Sequence, residues 1–119
     1  MTKKEYIDQL NSTNIDQNKV NKLEALFGLK LPERVKKMMS VNDSAEFFDD
    51  GTRMLSYQEV VDAEQDLHVD FKALGIIPVA ECGENDFIVF NAKDNIWSKF
   101  NIVDEIEFKK KKAFEELLK

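Results

Sequence analysis

The stretch from Ile76 to Phe90 places the tightest constraint on this chain. It runs Ile76-Ile77-Pro78-Val79-Ala80, then a polar segment holding Gly83, then Phe87-Ile88-Val89-Phe90. A strand with one solvated face shows a polar residue at every second position, and neither run does. Both read as strands of a hairpin buried on both faces, with Phe87 and Val89 directed one way and Ile88 and Phe90 the other. Helices from the rest of the chain are expected to cover at least one face. Pro78 cannot donate to a ladder, so it must take an edge, a bulge or a non-bonded position. The hairpin tip carries Glu81, Glu84 and Asp86 with no base among them.

Upstream, the pattern is helical. Thr2 and Glu5 have capping-box spacing ahead of Tyr6, Ile7 and Leu10, which predicts a short leading helix within residues 1–15. Asp16 caps a second helix with Val20, Leu23, Leu26 and Phe27 on one face, and Gly28 supplies its left-handed stop. Pro32 suits the first turn of a third helix, with Val35, Met38 and Met39 turned inward as core. Two short strands, Ala45–Phe48 and Thr52–Leu55, flank the turn Asp49-Asp50-Gly51. Ser56 and Glu59 form the clearest capping box and open a helix expected from about Tyr57 to Leu67. Glu59, Asp62 and Asp66 recur along one of its faces.

A linker is expected around Asp70 to Gly75. Downstream of the hairpin, Asn91 to Asn95 make a second turn into the strand Ile96–Phe100, and Ile106 and Phe108 alternate as one more short strand. Ala113, Phe114, Leu117 and Leu118 have the spacing of an amphipathic closing helix. The order predicts an α+β fold in a single domain over residues 1–119, with a mainly antiparallel sheet of about 4–6 strands packed with helices. A chain of 119 residues can bury enough surface for a core without staples. No internal repeat or domain linker stands out.

Charge narrows the partners. The formal net charge is −6 and the pI about 4.8, whereas affinity for nucleic acid rests largely on Lys and Arg. From Asp43 to Asp70 there are nine acids (Asp43, Glu46, Asp49, Asp50, Glu59, Asp62, Glu64, Asp66, Asp70) against one base, Arg53. Such a chain is suited to a basic partner, the attraction acting mostly on encounter. No apolar run approaches the roughly 20 residues of a membrane span. No h-region follows the basic start, so no signal peptide is expected. A lone Cys82 excludes an internal disulfide and fits a reducing cytoplasm.

Positive signs of catalysis are missing. His68, the only histidine, falls near a helix C-terminus, a favourable surface position. Cys82 sits between Glu81 and Glu84, where like charge opposes a thiolate. One Cys and one His are too few for a zinc site. Asp49-Asp50-Gly51-Thr52 lacks the ligand ladder of a calcium loop, and the four glycines form no phosphate cradle. The run Lys109 to Lys112 reads as a solvated edge or a helix start. No catalytic residue, metal or cofactor is assigned.

The order of motifs resembles the SUKH superfamily. The similarity runs from Gly28-Leu29-Lys30-Leu31-Pro32-Glu33 through the hairpin near Phe47 to Met54 and Leu55-Ser56-Tyr57-Gln58-Glu59-Val60. It continues with Ile77-Pro78-Val79-Ala80-Glu81, the Gly-containing loop and Asp86-Phe87-Ile88-Val89-Phe90, and ends at Ala113–Leu118. It spans about residues 18–118. The third helix, Val35-Lys36-Lys37-Met38-Met39, lacks the aromatics common there, and the hairpin loop has one Gly where several are common.

The resemblance implies a non-enzymatic protein, most often a bacterial immunity protein that neutralises a toxin domain such as a nuclease. The family's other role, as a regulatory or scaffold module linked to cell-wall synthesis, implies an endogenous cytosolic partner. The residues expected to face a basic partner are Asp49, Asp50, Glu59, Asp62, Asp66, Glu81, Glu84 and Asp86. Trp97 is the candidate anchor should its ring be exposed, with core the competing assignment.

Overall fold

A computed structural model describes residues 1–118. Its order is three helices, α1 (Lys3–Asn11), α2 (Gln17–Phe27) and α3 (Glu33–Val41), then strands β1 (Glu46–Phe47) and β2 (Arg53–Met54). Three short helices follow, α4 (Tyr57–Val61), α5 (Ala63–Leu67) and α6 (Phe71–Leu74). Strands β3 (Ile76–Glu81), β4 (Asp86–Asn91), β5 (Ile96–Asn101) and β6 (Ile106–Lys111) lead to a 3-10 turn at Phe114–Leu117. The fold is α+β, and the six strands form one antiparallel sheet in chain order.

The expected caps are in place. The Thr2 hydroxyl accepts from the Glu5 amide and the Glu5 carboxylate from the Thr2 amide, which satisfies two amides at the start of α1. Asp16 caps α2, and Gly28 closes it at φ 63, a conformation that costs a glycine nothing. Pro32 stands one residue outside α3, as its N-cap. Asp50 accepts from the Thr52 amide to shape the β1–β2 turn.

The hairpin of β3 and β4 is buried along almost its whole length. The β4–β5 register is unbroken from Asp86 opposite Asn101 to Asn91 opposite Ile96. Alternation therefore puts Phe87, Val89 and Phe100 on one face and Ile88, Phe90 and Trp97 on the other. Phe71 of α6 covers the first face, its ring 6.2 Å from Phe100 and 6.4 Å from Phe27 of α2. On the second, Trp97 stands edge-on between Phe90 and Phe114 of the C-terminal turn. Cover on both faces explains why neither run alternates. Pro78 is accommodated by a bulge: the β3–β4 register shifts between Pro78 and Ala80, and the Val79 carbonyl accepts from the Leu55 amide instead.

Four expectations need correction. The helix foreseen from Tyr57 to Leu67 is two, broken at Asp62, whose ψ of 2° departs from helical geometry. Two β-branched valines followed by Asp make a poor helix interior. The stretch Asp70–Gly75 is not a plain linker. It holds α6, capped by Asp70 and ended by Gly75 at φ 72, where the Lys93 stem lies over the glycine. The closing helix is a short 3-10 turn, since so few residues do not repay the cost of nucleating an α-helix. Finally, β6 is longer than the Ile106–Phe108 alternation implied and takes in Lys109 to Lys111. The lysine run is thus an exposed sheet edge, where charge discourages pairing by another chain.

A short repeat also emerges. Asn91-Ala92-Lys93-Asp94-Asn95-Ile96 and Asn101-Ile102-Val103-Asp104-Glu105-Ile106 share the pattern Asn-x-x-Asp-x-Ile and the same turn. In each, the Asn side chain accepts from the amide of the following Asp. In each, the residue before Ile is left-handed, Asn95 at φ 53 and Glu105 at φ 53.

Candidate functional site

Of the eight acids expected to face a partner, seven fall into three groups and Asp62 stands apart. Glu59, Asp66 and Glu81 come together: with Arg53 they rim a cavity of about 80 Å³ floored by Leu55, Ala63, Leu67 and Phe87. Two elements build it. Arg53 lies opposite Glu81 in the β2–β3 ladder, and the capping box at Ser56 aims α4 so that Glu59 reaches the same guanidinium. Arg53 Nη1 donates to both Glu59 oxygens at 2.9 and 2.8 Å, and Nε reaches Glu81 at 3.5 Å. The hairpin tip and the α4–α5 segment are therefore adjacent.

The charges on this rim set each other. Burial works against the charged form of Glu59, but the Ser56 backbone hydrogen bond and Arg53 outweigh it and hold the carboxyl below its ordinary value. Burial likewise works against the Arg53 cation, and Glu59 and then Glu81 reverse that and raise its pKa. Glu59 is thus occupied as a cap and an ion-pair partner. Asp66 is exposed, and three carboxylates stand against one guanidinium at this rim.

Asp62 does not line the cavity and accepts from Gln58 Nε2 at 3.1 Å. The second group, Asp49 and Asp50, lies at the β1–β2 turn beside Thr2, Lys3, Phe48 and Leu118, with Asp49 3.7 Å from the Met1 ammonium. The third group, Glu84 and Asp86, belongs to the hairpin tip. Glu84 is exposed, and Asp86 accepts from Asn101 Nδ2 at 2.9 Å, tying the tip to β5. Trp97 is 6% exposed and belongs to the core. It is not an anchor.

Cys82 is half-buried at the tip, its thiol donating to the Asp86 carbonyl at 3.5 Å. Its pKa is raised, chiefly by burial, with Lys99 pulling it down and Asp86 pushing it up. The direction matches the sequence expectation, but burial rather than neighbouring carboxylates is the main cause. His68 is exposed and takes the left-handed cap of α5 at φ 57. Among the described residues no three His, Cys, Asp or Glu side chains are placed to hold a metal ion, and no helix is long and apolar enough to cross a membrane.

One polar cluster was not foreseen. Glu107 of β6 accepts from Ser98 Oγ at 2.6 Å and from Asn91 Nδ2 at 2.9 and 3.1 Å. Strand register is the signal that could have joined these three, because they lie on three successive strands. Ser98 is fully buried and its hydroxyl proton is committed to Glu107, so the cluster pins β6 to the sheet and offers no nucleophile. No family model matches the sequence, and no curated protein or solved structure matches it, so the SUKH resemblance rests on its motifs and their order.

Proposed function

We propose that this chain is a non-enzymatic acidic binding protein of the immunity type. In this reading it works in the cytoplasm, binds a basic toxin domain such as a nuclease, and covers the surface that domain uses for its own substrate. The observation that carries the proposal is the meeting of Glu59, Asp66 and Glu81 around one apolar-floored cavity with a single guanidinium among them. A nuclease must present cations to phosphates, and an acidic surface competes for them. Arg53 satisfies Glu59 and part of Glu81, which leaves Asp66 as the uncommitted charge at the rim. The order of SUKH-like motifs supports the same reading.

The test is to search the genes beside this one for toxin domains and to co-express each one found with this chain; a neighbourhood without any counts against the proposal. The expected result is restored growth and a complex that co-purifies. A toxin that remains lethal, with no complex recovered, overturns the proposal. If a catalytically dead toxin domain is bound but the active one is not neutralised, the binding half stands and the blocking half fails.

A further inference from the structure

Among the described residues, five large apolar side chains remain exposed, and two of them, Val103 at 69% and Ile106 at 57%, lie in and just after a single turn. That turn joins β5 to β6 and lies beside the β3–β4 tip. The Ile102 amide donates to the Asn85 carbonyl at 2.9 Å, and Asn101 reaches Asp86. The two tips therefore form one end of the sheet. Around the apolar pair stand Asp104 and Glu105 on the same turn and Glu84 on the neighbouring tip, all exposed. Lys99 and Lys109 are close enough to this end to favour the Cys82 thiolate. Lys99, opposite Ile88 and Phe108, lies on the face that Asn101 and Ile106 also share, so one cation stands beside the apolar pair.

The β4–β5 turn is an internal control, because the same turn is built there from the same pattern. Its left-handed position holds Asn95, a residue suited to that conformation, its Ile96 is half-buried, and Ala92 stands in place of Ile102. The β5–β6 turn instead displays an exposed Val103 and Ile106, and it holds Glu105 left-handed at a cost Asn would lessen. The turn geometry alone does not require these residues. An apolar pair among three exposed carboxylates, which outnumber the one lysine on the same face, is the arrangement of a docking surface, where the apolar side chains supply contact and the charges select the partner.

We propose that this sheet end is a docking surface for a basic protein, with Val103 and Ile106 as its apolar anchors and Glu84, Asp104 and Glu105 as the complementary charge. The inference rests on the reading that the partner is basic, and it places the apolar contact away from the Arg53 cavity.

The test uses the whole ¹⁵N-labelled chain and a short amphipathic peptide of repeated Lys-Leu-Leu-Lys units, with a Glu-Leu-Leu-Glu peptide as control. The expected result is that amide shifts caused by the basic peptide centre on the tips at 84–86 and 102–106. The acidic peptide should leave these positions unmoved. The double change Val103→Ser with Ile106→Ser should weaken the basic peptide about tenfold, and Glu105→Asn, which suits the turn, about threefold. Asp66→Asn should change it less than about twofold. Shifts centred on the Arg53 cavity, no response at the tips, or equal response to both peptides would overturn the proposal. Because no toxin is used, a negative result here leaves the growth-rescue test to judge the immunity reading separately.

Discussion

Tyr6 and Asn42 carry more of the helix-to-sheet connection than their positions in the sequence suggest. The buried Tyr6 hydroxyl donates to Asn42 Oδ1 at 2.9 Å, Asn42 Nδ2 donates to the Leu55 carbonyl at 3.2 Å, and the Tyr57 amide donates to the Asn42 carbonyl at 2.8 Å. One asparagine thus links α1, the end of α3, the chain leaving β2 and the start of α4. Tyr6→Phe should cost about 1–2 kcal/mol in denaturant unfolding, because it leaves a buried acceptor unpaired. Asn42→Ala should cost more, about 2–3 kcal/mol, because the amide donor, the acceptor and the packing all go.

Glu59 separates two roles that the sequence presents as one. Glu59→Gln keeps a capping-box partner and removes the charge. It should cost only about 0.5 kcal/mol, since the pair with Arg53 is partly solvated. Glu59→Ala removes both and should cost about 1.5 kcal/mol. Because the folded carboxyl lies below its ordinary value of 4.5, the unfolded chain takes up this proton first as pH falls. The charge-dependent stability is therefore present above about 4.5 and is lost as pH drops through the depressed folded value. The gap between wild type and Glu59→Gln should narrow over that acid range, as followed by urea unfolding at a series of pH values.

At the scale of elements, the paired turns give a sharper prediction. Glu105→Asn copies the residue that fills the same position in the β4–β5 turn, and it should stabilise the fold by about 0.5 kcal/mol. An unchanged or lower melting temperature would show that the Glu105 side chain contributes to stability in a way its exposed position does not reveal. Elements set by local chemistry were legible in the sequence: the Thr2, Asp16 and Ser56 caps, the Gly28 stop, the Asp49-Asp50-Gly51 turn, and a central hairpin whose bulge falls beside Pro78. Elements set by pairing or packing were not. The lysines of β6 have no strand character of their own and become a strand only through hydrogen bonds to β5. The break at Asp62 and the 3-10 turn at Phe114–Leu117 lie in segments whose apolar spacing fits a helix equally well.

The same division runs through the candidate site. Acidic composition and the spacing of Glu59 and Asp66 were visible along the chain, and their meeting with Glu81 depends on the β2–β3 ladder bringing Arg53 between them. Asp62, drawn on the same helical stripe, turns to Gln58 instead. The Asn91–Ser98–Glu107 cluster and the apolar pair Val103 and Ile106 required the strand register to become visible at all.

At the scale of the whole molecule, the sheet is covered on both faces at its centre, and the chain carries a net charge of −6. Two acidic regions result: the cavity rim around Arg53 and the sheet end built from two hairpin tips. On the proposed reading the protein binds a toxin domain through complementary charge, which is tested by its affinity for a catalytically inactivated form of any toxin domain found encoded beside its gene, taken by calorimetry across a salt series. The expected complex weakens about tenfold or more between roughly 0.05 and 0.5 M salt and weakens further with Asp66→Lys or Glu84→Lys. No measurable binding at low salt, or an affinity indifferent to both salt and charge reversal, would contradict that reading.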